Sequence, residues 1–522
     1  MSSRESASVI MVQGTSSHAG KSILTAALCR IFAQDGYAVA PFKAQNMSLN
    51  SYVTPDGGEI GRSQAVQAAA AMVAPRVAMN PVLLKPEAGA RSQVVVMGRP
   101  RAVRSAREYQ EMKPGIWEEV TAALDSLRRE YDVVVIEGAG SPAEINLKES
   151  DIVNMRVALH AQAPVLLVGD IDRGGVFAQL VGTMTLLEPE ERALVKGHVI
   201  NKFRGDPSLL TPGLELLEQR TGVPVAGVLP WFSDIRIPEE DSLGLEPGLR
   251  SDADTVVDVV VMRLPHIANF DDLDPLRHEP GVRVRYAASA HDFGAPDLVV
   301  IPGSKTTVDD LDWLRAQGLA DRIAYARREG TPVIGICAGY QMLGRELRDP
   351  DGVEARRAVT DGLGLLPTST TFLREKVTHQ VRGRVSGGRG LLGGCAGAEV
   401  TAYEIHMGVS PQGDAASPFS IDTRSGWRAH STDGALDAEG LTLGTYLHGL
   451  FHNRALRRGV LEFVASRKGA ALPPPTDDVD LDAEYGKLAA LVREHLDMEL
   501  VYRIVGLEHS ALSPTRSPMP TG

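Results

Sequence analysis

The sequence predicts an α/β protein with two doubly wound domains, each built on a mostly parallel sheet. Short β-branched apolar runs alternate along the chain with longer stretches rich in Ala, Leu and Arg. This alternation is typical of parallel strands joined by crossover helices. The first series of runs ends near Pro230, and a second begins near Thr255 after an acidic stretch marked by Pro and Gly. A chain of 522 residues is long enough for more than one core.

The strand prediction depends on the character of these runs. Unbroken apolar runs of about four to six residues are typical of strands buried on both faces. The runs are SVIMVQG, YAVAPFK, YDVVVIEGAG, APVLLVGDID, VKGHVINKF and VPVAGVLP in the first series, and TVVDVVVMRL, PDLVVIPGSK and TPVIGICAGY in the second.

Composition shifts divide the chain into four parts. We expect a first domain at residues 1–235, a linker at 236–253, a second domain at 254–465, and a C-terminal segment at 466–522. The last segment contains one or two helices and ends in SALSPTRSPMPTG, whose Ser and Pro content predicts a disordered tail.

Charge and cysteine content exclude several classes of function. The 54 basic and 66 acidic residues give a net charge of −12, and no Lys/Arg block is present, so no nucleic-acid partner is expected. Three cysteines cannot form a disulfide framework and favour a reducing compartment. The start, MSSRESASVIMVQG, is not typical of a signal peptide, and no apolar run approaches the roughly 18 residues of a membrane span. We therefore expect a cytoplasmic protein; the sequence does not indicate its oligomeric state.

A glycine-rich loop follows the first apolar run. Gly14, Thr15, Gly20, Lys21 and Ser22 lie in GTSSHAGKS, directly before a helical stretch. Backbone N–H groups of such a loop bind phosphates, the lysine reaches the β- and γ-phosphates, and the serine hydroxyl binds Mg²⁺. Five residues separate the two glycines, one more than in the common motif. The alternative is a plain glycine turn before a helix.

Further candidates follow other strands, whose carboxyl ends should meet at the same sheet edge. Glu137 in VVVIEGAG is placed to bind Mg²⁺ together with Ser22, although it could instead be a turn or N-cap acid. Asn201 is a candidate for hydrogen bonding to the base of ATP.

A second group of polar residues at this edge is assigned to substrate or phosphate. Asp170, Asp172 and Arg173 in VGDIDRGG could bind metal and phosphate, or could pair with one another as a solvated loop. The sequence leaves both interpretations open. Additional candidates follow the second run; they are Lys43, Gln45 and Asn46.

A cysteine in the second domain has the context of a nucleophile. Cys337 follows the run TPVIGI and precedes Ala338, a glycine and a predicted helix, so a sharp turn would expose its thiol at a helix N-terminus and favour the thiolate. The N–H groups of Ala338 and Gly303 could form an oxyanion hole. His448 in GTYLHGLFHN is the candidate base, with His406 among its rivals.

These motifs together resemble known families. GICAGYQMLG, with PGSK upstream and YLHGLF downstream, resembles a class I glutamine amidotransferase domain. GTSSHAGKS with IEGAG resembles the P-loop-type ATP-binding domain of dethiobiotin synthetase-like proteins, which shares the longer spacing. In this order the motifs resemble the cobyric acid synthase family over about residues 8–465, together with FKAQNMSLNSY, EIGRSQAVQA, MNPVLLKP, GDIDRGGVFA, VINKFRGD and YEIHMG.

The resemblance implies an enzyme of cobalamin biosynthesis. It would be a glutamine-hydrolysing carboxylate-amide ligase that uses ATP, Mg²⁺ and the co-substrate glutamine. Its corrinoid substrate would be adenosylcobyrinic acid a,c-diamide, amidated at the b, d, e and g carboxylates. The alternatives are cobyrinic acid a,c-diamide synthase, a related ligase for another polycarboxylate, and a partitioning-type ATPase switch, which would need no nucleophilic cysteine.

One departure concerns the group that orients His448. Most class I amidotransferases follow this histidine with Pro and Glu, whereas Gly449 and Leu450 follow it here, as the resembled family generally shows. The third member of the triad is absent from its usual place. A backbone carbonyl or another acid, such as Glu404, could take the role.

Overall fold

The computed structural model of the protein describes residues 6–238, 255–355 and 357–508. The expected linker at 236–253 lies almost entirely outside these residues. The expected disordered tail, which begins at Ser510, lies wholly outside them.

The N-terminal half contains a six-stranded sheet, a four-stranded sheet and a two-stranded hairpin. Its strands are β1 (Ser8–Gly14), β2 (Val39–Phe42), β3 (Gln45–Met47), β4 (Ser51–Val53), β5 (Glu59–Gly61), β6 (Val82–Glu87), β7 (Arg91–Val96), β8 (Arg99–Ser105), β9 (Val133–Glu137), β10 (Val165–Asp170), β11 (Val195–Phe203) and β12 (Val225–Pro230). Its helices are α1 (Lys21–Gln34), α2 (Arg62–Ala70), α3 (Ala106–Glu130), α4 (Met155–Ala161), α5 (Val176–Leu186), α6 (Pro189–Arg192) and α7 (Thr211–Thr221).

The six-stranded sheet is parallel, in the order β12-β11-β10-β1-β9-β2. Its strands are the six apolar runs of the first series. Successive residues of β1 face opposite cores: Val9 and Met11 belong to one apolar cluster, and Ile10 and Val12 to the other. Because helices cover both faces, the runs are continuously apolar rather than alternating.

The C-terminal half contains a second six-stranded sheet and a mixed sheet. Its strands are β13 (Val257–Met262), β14 (Val282–Ala287), β15 (Leu298–Ile301), β16 (Val333–Ile336), β17 (Glu346–Arg348), β18 (Val359–Asp361), β19 (Ser369–Val385), β20 (Glu399–Val409), β21 (Phe419–Arg424), β22 (Trp427–Asp433), β23 (Ala435–Leu436), β24 (Thr442–Thr445) and β25 (Leu447–His448). Its helices are α8 (Asp274–His278), α9 (Thr307–Ala316), α10 (Leu319–Arg328), α11 (Ala338–Leu343), α12 (Arg454–Ser466), α13 (Leu481–His495) and α14 (Met498–Val505).

The second six-stranded sheet has the order β14-β13-β15-β16-β24-β23, and all its pairs are parallel except β23 with β24. Two mostly parallel sheets flanked by helices confirm the predicted α/β fold class. The mixed sheet, built around the antiparallel pair β19 and β20, was not predicted. It matters for the site because β20 pairs with β25, which carries His448.

The C-terminal helices return to the N-terminal half. Helix α13 packs on α1, where Arg30 pairs with Asp482 at 2.5 Å. On α14 the ring of Tyr502 meets that of Phe32 edge-on at 5.5 Å. The core on this face of the first sheet therefore includes residues contributed from both ends of the chain.

None of the described helices combines the length and the apolar content needed to cross a membrane.

The packing of α13 on the first domain predicts how two substitutions in that helix change stability. Leu488 is fully buried in the first domain's core, whereas Leu481 on the same helix is 41% exposed. We expect Leu488→Ala to lower the free energy of unfolding by about 2–5 kcal/mol because it leaves a cavity. The control Leu481→Ala should change it by less than about 0.5 kcal/mol. Urea denaturation measures both, and equal losses would contradict this packing.

Candidate functional site

The loop between β1 and α1 has the shape of a phosphate cradle. Gly20 has a φ of +100°, and a Cβ atom there would lie 1.9 Å from the amide nitrogen of Asn201, so this position requires glycine. The Lys21 ammonium group donates hydrogen bonds to the carbonyl oxygens of Ser16 and Gly140, at 2.8 and 3.0 Å. A lysine held by carbonyl groups is well placed to turn toward a phosphate.

The start of the loop is anchored to the neighbouring strand and helix. The Thr15 N–H donates to the Val168 carbonyl at 2.9 Å, and its hydroxyl donates to Gln179 at 3.0 Å. If Gly14 were replaced by a residue with a side chain, its Cβ atom would lie 3.1 Å from the Lys21 side chain. Gly14 and Thr15 thus shape the loop around the lysine.

Glu137 ends β9 beside this loop and joins several polar groups. Its carboxylate accepts hydrogen bonds from Ser22 Oγ at 2.7 Å, from Lys43 Nζ at 2.8 Å, and from Gln67. Burial raises the pKa of Glu137, but the charge of Lys43 and these hydrogen bonds outweigh burial and lower the pKa overall. The carboxylate is therefore ionised although it is 1% exposed.

The side-chain oxygens of Ser22 and Glu137 are spaced as two ligands of a magnesium ion would be. Ser22 Oγ and Glu137 Oε1 are 2.7 Å apart, close to the roughly 2.9 Å edge of an oxygen octahedron around Mg²⁺. In the part of the chain that the structure describes, no three His, Cys, Asp or Glu side chains group closely enough to hold a metal alone. A cation here would therefore take its other ligands from phosphate oxygens and water.

The carboxylates after β10 are engaged in ion pairs. Asp170 pairs with Lys202 at 2.8 Å and with Arg173 at 3.8 Å, and Asp172 pairs with Arg204 at 3.1 Å. Lys202 also donates to a carbonyl of the phosphate loop at 2.7 Å. These residues border the loop, and their pairs could rearrange around a phosphate.

Asn201 supports the loop from the next strand. Its side-chain amide donates to the Ala19 carbonyl at 2.9 Å, next to the left-handed Gly20. This contact places Asn201 against the phosphate loop.

Gln45 and Asn46 lie in β3, which pairs with β6 in the four-stranded sheet rather than with the strands of the first six-stranded sheet. Gln45 accepts a hydrogen bond from the Tyr109 hydroxyl at 2.6 Å, and the Asn46 amide donates to Gln64 at 3.1 Å. Both residues are held in fixed orientations by the first domain.

Cys337 occupies a sharp turn between β16 and α11. Its φ of +54° and ψ of −108° are strained for a residue with a side chain, at a cost of about 1–3 kcal/mol. Two glycines make the turn possible: a Cβ on Gly339 would lie 2.0 Å from the Ile301 carbonyl oxygen, and one on Gly335 would lie 2.6 Å from the backbone of Gly339. The sequence predicts that this turn exposes the thiol, but Cys337 is only 8% exposed and lines a pocket.

The proposed oxyanion residues flank this cysteine. Ala338 is the first residue of α11, and Gly303 follows β15 and lines the same pocket as Cys337 and His448. A Cβ on Gly303 would lie 3.0 Å from Cε1 of His448. The absence of a side chain at Gly303 therefore leaves room for the imidazole.

An aspartate that was not predicted from the sequence orients His448. The His448 Nδ1–H donates to Asp272 Oδ2 at 2.7 Å, and the Gly449 N–H donates to Asp272 Oδ1 at 2.6 Å. The imidazole of His448 lines the pocket beside Cys337 and interacts with its thiol. Cysteine, histidine and aspartate thus form the pattern of a catalytic triad.

The pKa values of the two candidate bases, His448 and His406, are shifted in opposite directions. Burial lowers the pKa of His448, but the charge and hydrogen bond of Asp272, followed by the interaction with Cys337, outweigh burial and raise that pKa to about 10. Burial lowers the pKa of His406 to about 4, and its ring stacks on Tyr446 at 3.8 Å. An imidazolium that could stabilise a thiolate is therefore expected at His448 and not at His406.

Glu404 does not orient the histidine. Its two oxygens accept from Arg424, at 2.8 Å each, in a bidentate ion pair. Of the two alternatives, a backbone carbonyl or another acid, the structure has another acid, but it is Asp272 and not Glu404. Asp272 lies 176 residues before the histidine, in the sequence NFDDLD, where nothing local marks it as functional.

The pocket next to Cys337 is completed by both halves of the chain. Lys85 and Gln93, from strands β6 and β7 of the N-terminal half, line it together with Lys376 of β19. Glu59 of β5 bridges Lys85, at 2.7 Å, and Lys376. Burial lowers the pKa of Lys376 to about 8 even though Glu59 favours its charged form.

Comparison with known proteins assigns both halves. The family described as "CobQ/CobB/MinD/ParA nucleotide binding domain" matches residues 10–244, and the family described as "CobB/CobQ-like glutamine amidotransferase domain" matches residues 258–456.

Similar full-length relatives are named cobyric acid synthase. The protein of Dehalococcoides mccartyi (strain CBDB1) is 52% identical over 500 residues, which cover 96% of this chain and 99% of the relative. The protein of Moorella thermoacetica is 53% identical over 96% of this chain and 98% of its own length. That of Sorangium cellulosum is 53% identical, with 96% and 99% covered.

The triad geometry predicts how Cys337 reacts. We expect Asp272→Asn to slow alkylation of Cys337 by iodoacetamide at neutral pH by about tenfold or more, because the amide no longer holds His448 as an imidazolium. The matched control is Glu404→Gln, which removes a buried carboxylate that contacts Arg424 instead. The rate is measured by mass spectrometry of the Cys337 peptide. A larger effect of Glu404→Gln than of Asp272→Asn would contradict the assignment.

Proposed function

Because the chain belongs to the cobyric acid synthase family, we propose that it amidates the b, d, e and g carboxylates of adenosylcobyrinic acid a,c-diamide, with ATP and glutamine as co-substrates. The protein is an enzyme of the glutamine amidotransferase-type ligases, with a nucleotide-binding domain and a glutamine amidotransferase domain. The observation that carries the proposal is the Cys337–His448–Asp272 arrangement in the same chain as a phosphate loop with a buried, ionised Glu137.

We assign the release of ammonia to the C-terminal half. The Cys337 thiolate would attack the side-chain amide carbon of glutamine, and the N–H groups of Ala338 and Gly303 would stabilise the oxyanion. His448 would give its proton to the leaving ammonia, which leaves a thioester on Cys337. Water, deprotonated by His448, would then hydrolyse the thioester to glutamate. Asp272 would keep the imidazole oriented throughout.

We assign the activation of the carboxylate to the N-terminal half. An oxygen of the corrinoid carboxylate would attack the γ-phosphorus of ATP, ADP would leave, and ammonia would displace phosphate from the acyl phosphate. Gly14, Thr15, Gly20 and Lys21 would hold the phosphates, and Asn201 would hold the nucleotide. Bound Mg²⁺, held by Ser22 and Glu137, would offset the charge of the phosphates.

The polar residues around the loop would contact substrate or phosphate; they are Lys43, Gln45, Asn46, Asp170, Asp172 and Arg173. The ion pairs of the last three support a role beside the phosphates, since charge-assisted contacts can be exchanged for phosphate oxygens. The side-chain hydrogen bonds of Gln45 and Asn46 support a preformed surface for amides and carboxylates.

We also propose a cytoplasmic location. All three cysteines are free in the structure, as suits a reducing compartment. The absence of a nucleic-acid partner stays a prediction from the net charge of −12.

Two substitutions should separate the half-reactions. Cys337→Ala should abolish amidation driven by glutamine but retain amidation driven by added ammonia, because the thiol acts only in nitrogen release. Lys21→Ala should impair both, since loss of a charged hydrogen bond to phosphate costs about 1.5–3 kcal/mol or more. Amide formation is followed by mass spectrometry. Equal loss of both activities in folded Cys337→Ala, or normal ammonia-driven amidation in Lys21→Ala, would refute the corresponding assignment.

The number of amides added to the corrinoid tests which substrate the enzyme acts on. With MgATP, glutamine and the a,c-diamide, we expect partly amidated intermediates free in solution and finally a product that carries four added amides. The expectation of four comes from the family, and a pocket that treats carboxylates in turn must release or rotate its substrate. A reaction that stops after one or two additions, with substrate exhausted, would favour the a,c-diamide synthase alternative. Phosphate release without any amide product would favour the ATPase switch.

A further inference from the structure

The acid of the triad is carried by a short stretch of the C-terminal half, residues 269–272, which we call the acid segment. The N-terminal half holds this segment at its backbone and side chains. The Ser51 N–H donates to Asn269 Oδ1 at 2.9 Å, and the Phe270 N–H donates to Asn50 Oδ1 at 3.2 Å. Asn269 itself adopts the left-handed conformation, with a φ of +53°, so the segment turns sharply there.

An ion pair holds the next residue of the acid segment. Arg62, the first residue of α2, pairs with Asp271 Oδ2 at 2.7 Å, and the two side chains are 14% and 3% exposed. His452 is the other nearby cation when protonated, at 4.0 Å, and its side chain is 45% exposed. Arg62 is therefore the permanent positive charge against this buried carboxylate.

The neighbouring residue, Asp272, holds the histidine. Two adjacent buried carboxylates need compensating charge, and a buried carboxylate that loses its partner is strongly destabilising. Without Arg62 the segment would rotate to bring Asp271 toward water. Because Asp272 is the next residue on the same turn, that rotation would also move its contact with His448.

An aromatic ring also packs against the face of the His448 imidazole. Tyr403 of β20 stacks on His448 at 5.1 Å with an interplanar angle of 15°, and the ring of Tyr52 of the N-terminal half lies 6.5 Å from that of Tyr403. Arg62 lies 5.8 Å from the ring of Tyr52. The surroundings of the histidine are thus linked to the N-terminal half by both the acid segment and the aromatic stack.

We propose that Arg62 of the nucleotide-binding half is a positioning residue for the glutaminase base: through its ion pair with Asp271 it holds Asp272 in register with His448. The ammonia-releasing site is then complete only while the two halves are docked. This inference rests on the proposed glutamine-dependent function of Cys337.

The test compares Arg62→Gln and Arg62→Lys with wild type, in the full chain. Arg62→Gln should lower the kcat of glutamine hydrolysis by about 10- to 100-fold, the range typical of residues that orient the ligands of a metal, with the KM for glutamine little changed. Arg62→Lys, which keeps the charge, should recover part of the loss. Amidation driven by ammonia should persist in both variants, because Arg62 acts on the histidine.

The matched control is Arg327→Gln. Arg327 is similarly buried, at 13% exposed, and pairs with Asp437 at 2.6 Å within the C-terminal half. It should lower stability without a selective loss of glutaminase kcat. A kcat for Arg62→Gln near that of wild type, an equal loss in the control, no rescue by lysine, or loss of ammonia-driven amidation as well would each overturn the inference.

The alkylation rate of Cys337 distinguishes failure of this inference from failure of the proposed function. It requires neither glutamine nor a corrinoid. Arg62→Gln should slow alkylation at neutral pH in the same direction as Asp272→Asn, whatever the amidated substrate is. An alkylation rate equal to that of wild type would overturn the positioning role even if the synthase activity were established.

Discussion

The hydrogen bond between Asp272 and His448 is the interaction on which the C-terminal site depends. Both side chains are almost completely buried, at 2% and 1% exposed, so the charges of the pair are screened little by water. Such a pair is stable only with good geometry and with its remaining oxygens satisfied. Gly449 N–H satisfies the second oxygen of Asp272, and the sharp turn of Cys337 brings the thiol to the same pocket.

The two candidate sites are connected by one short helix. Arg62 begins α2 and contacts the acid segment, while Gln67 lies five residues later, about 7.5 Å along the axis, and donates to Glu137. The same helix therefore touches the carboxylate proposed to hold magnesium and the carboxylate next to the triad acid. Arg62 and Gln67 thus reach carboxylates of both candidate sites from one short helix.

The sequence predicted those features that local pattern encodes. Strand runs buried on both faces have a distinctive composition, and the turns at Gly20 and Cys337 require particular residues at fixed spacing. The positions of α13 and of Asp272 depend on contacts across hundreds of residues, which periodicity does not record. Asp272 is one of three acids in the short sequence NFDDLD, and nothing in that sequence singles it out.

The interface between the halves explains why docking is specific. Apart from the core that α13 and α14 share with the first sheet, its apolar part is small: Val53 of the N-terminal half packs with Tyr403 and Ile405 of the C-terminal half in a cluster of three buried residues. Its ion pairs include Glu59 with Lys376, Asp271 with Arg62, and Glu87 with Lys305. Buried ion pairs contribute little net stability compared with apolar packing.

Such polar contacts require each donor to meet its own acceptor, whereas an apolar surface would tolerate sliding. A displaced interface would separate Arg62 from the buried Asp271, at a cost of several kcal/mol, and would remove Lys376 from Glu59, which would keep only Lys85. Tyr403 stacks on His448, and the Ile405 carbonyl lies 3.5 Å from Cys337 Sγ, so the small apolar cluster is continuous with the catalytic residues. The register between the halves is therefore set by the same residues that shape the thiol pocket.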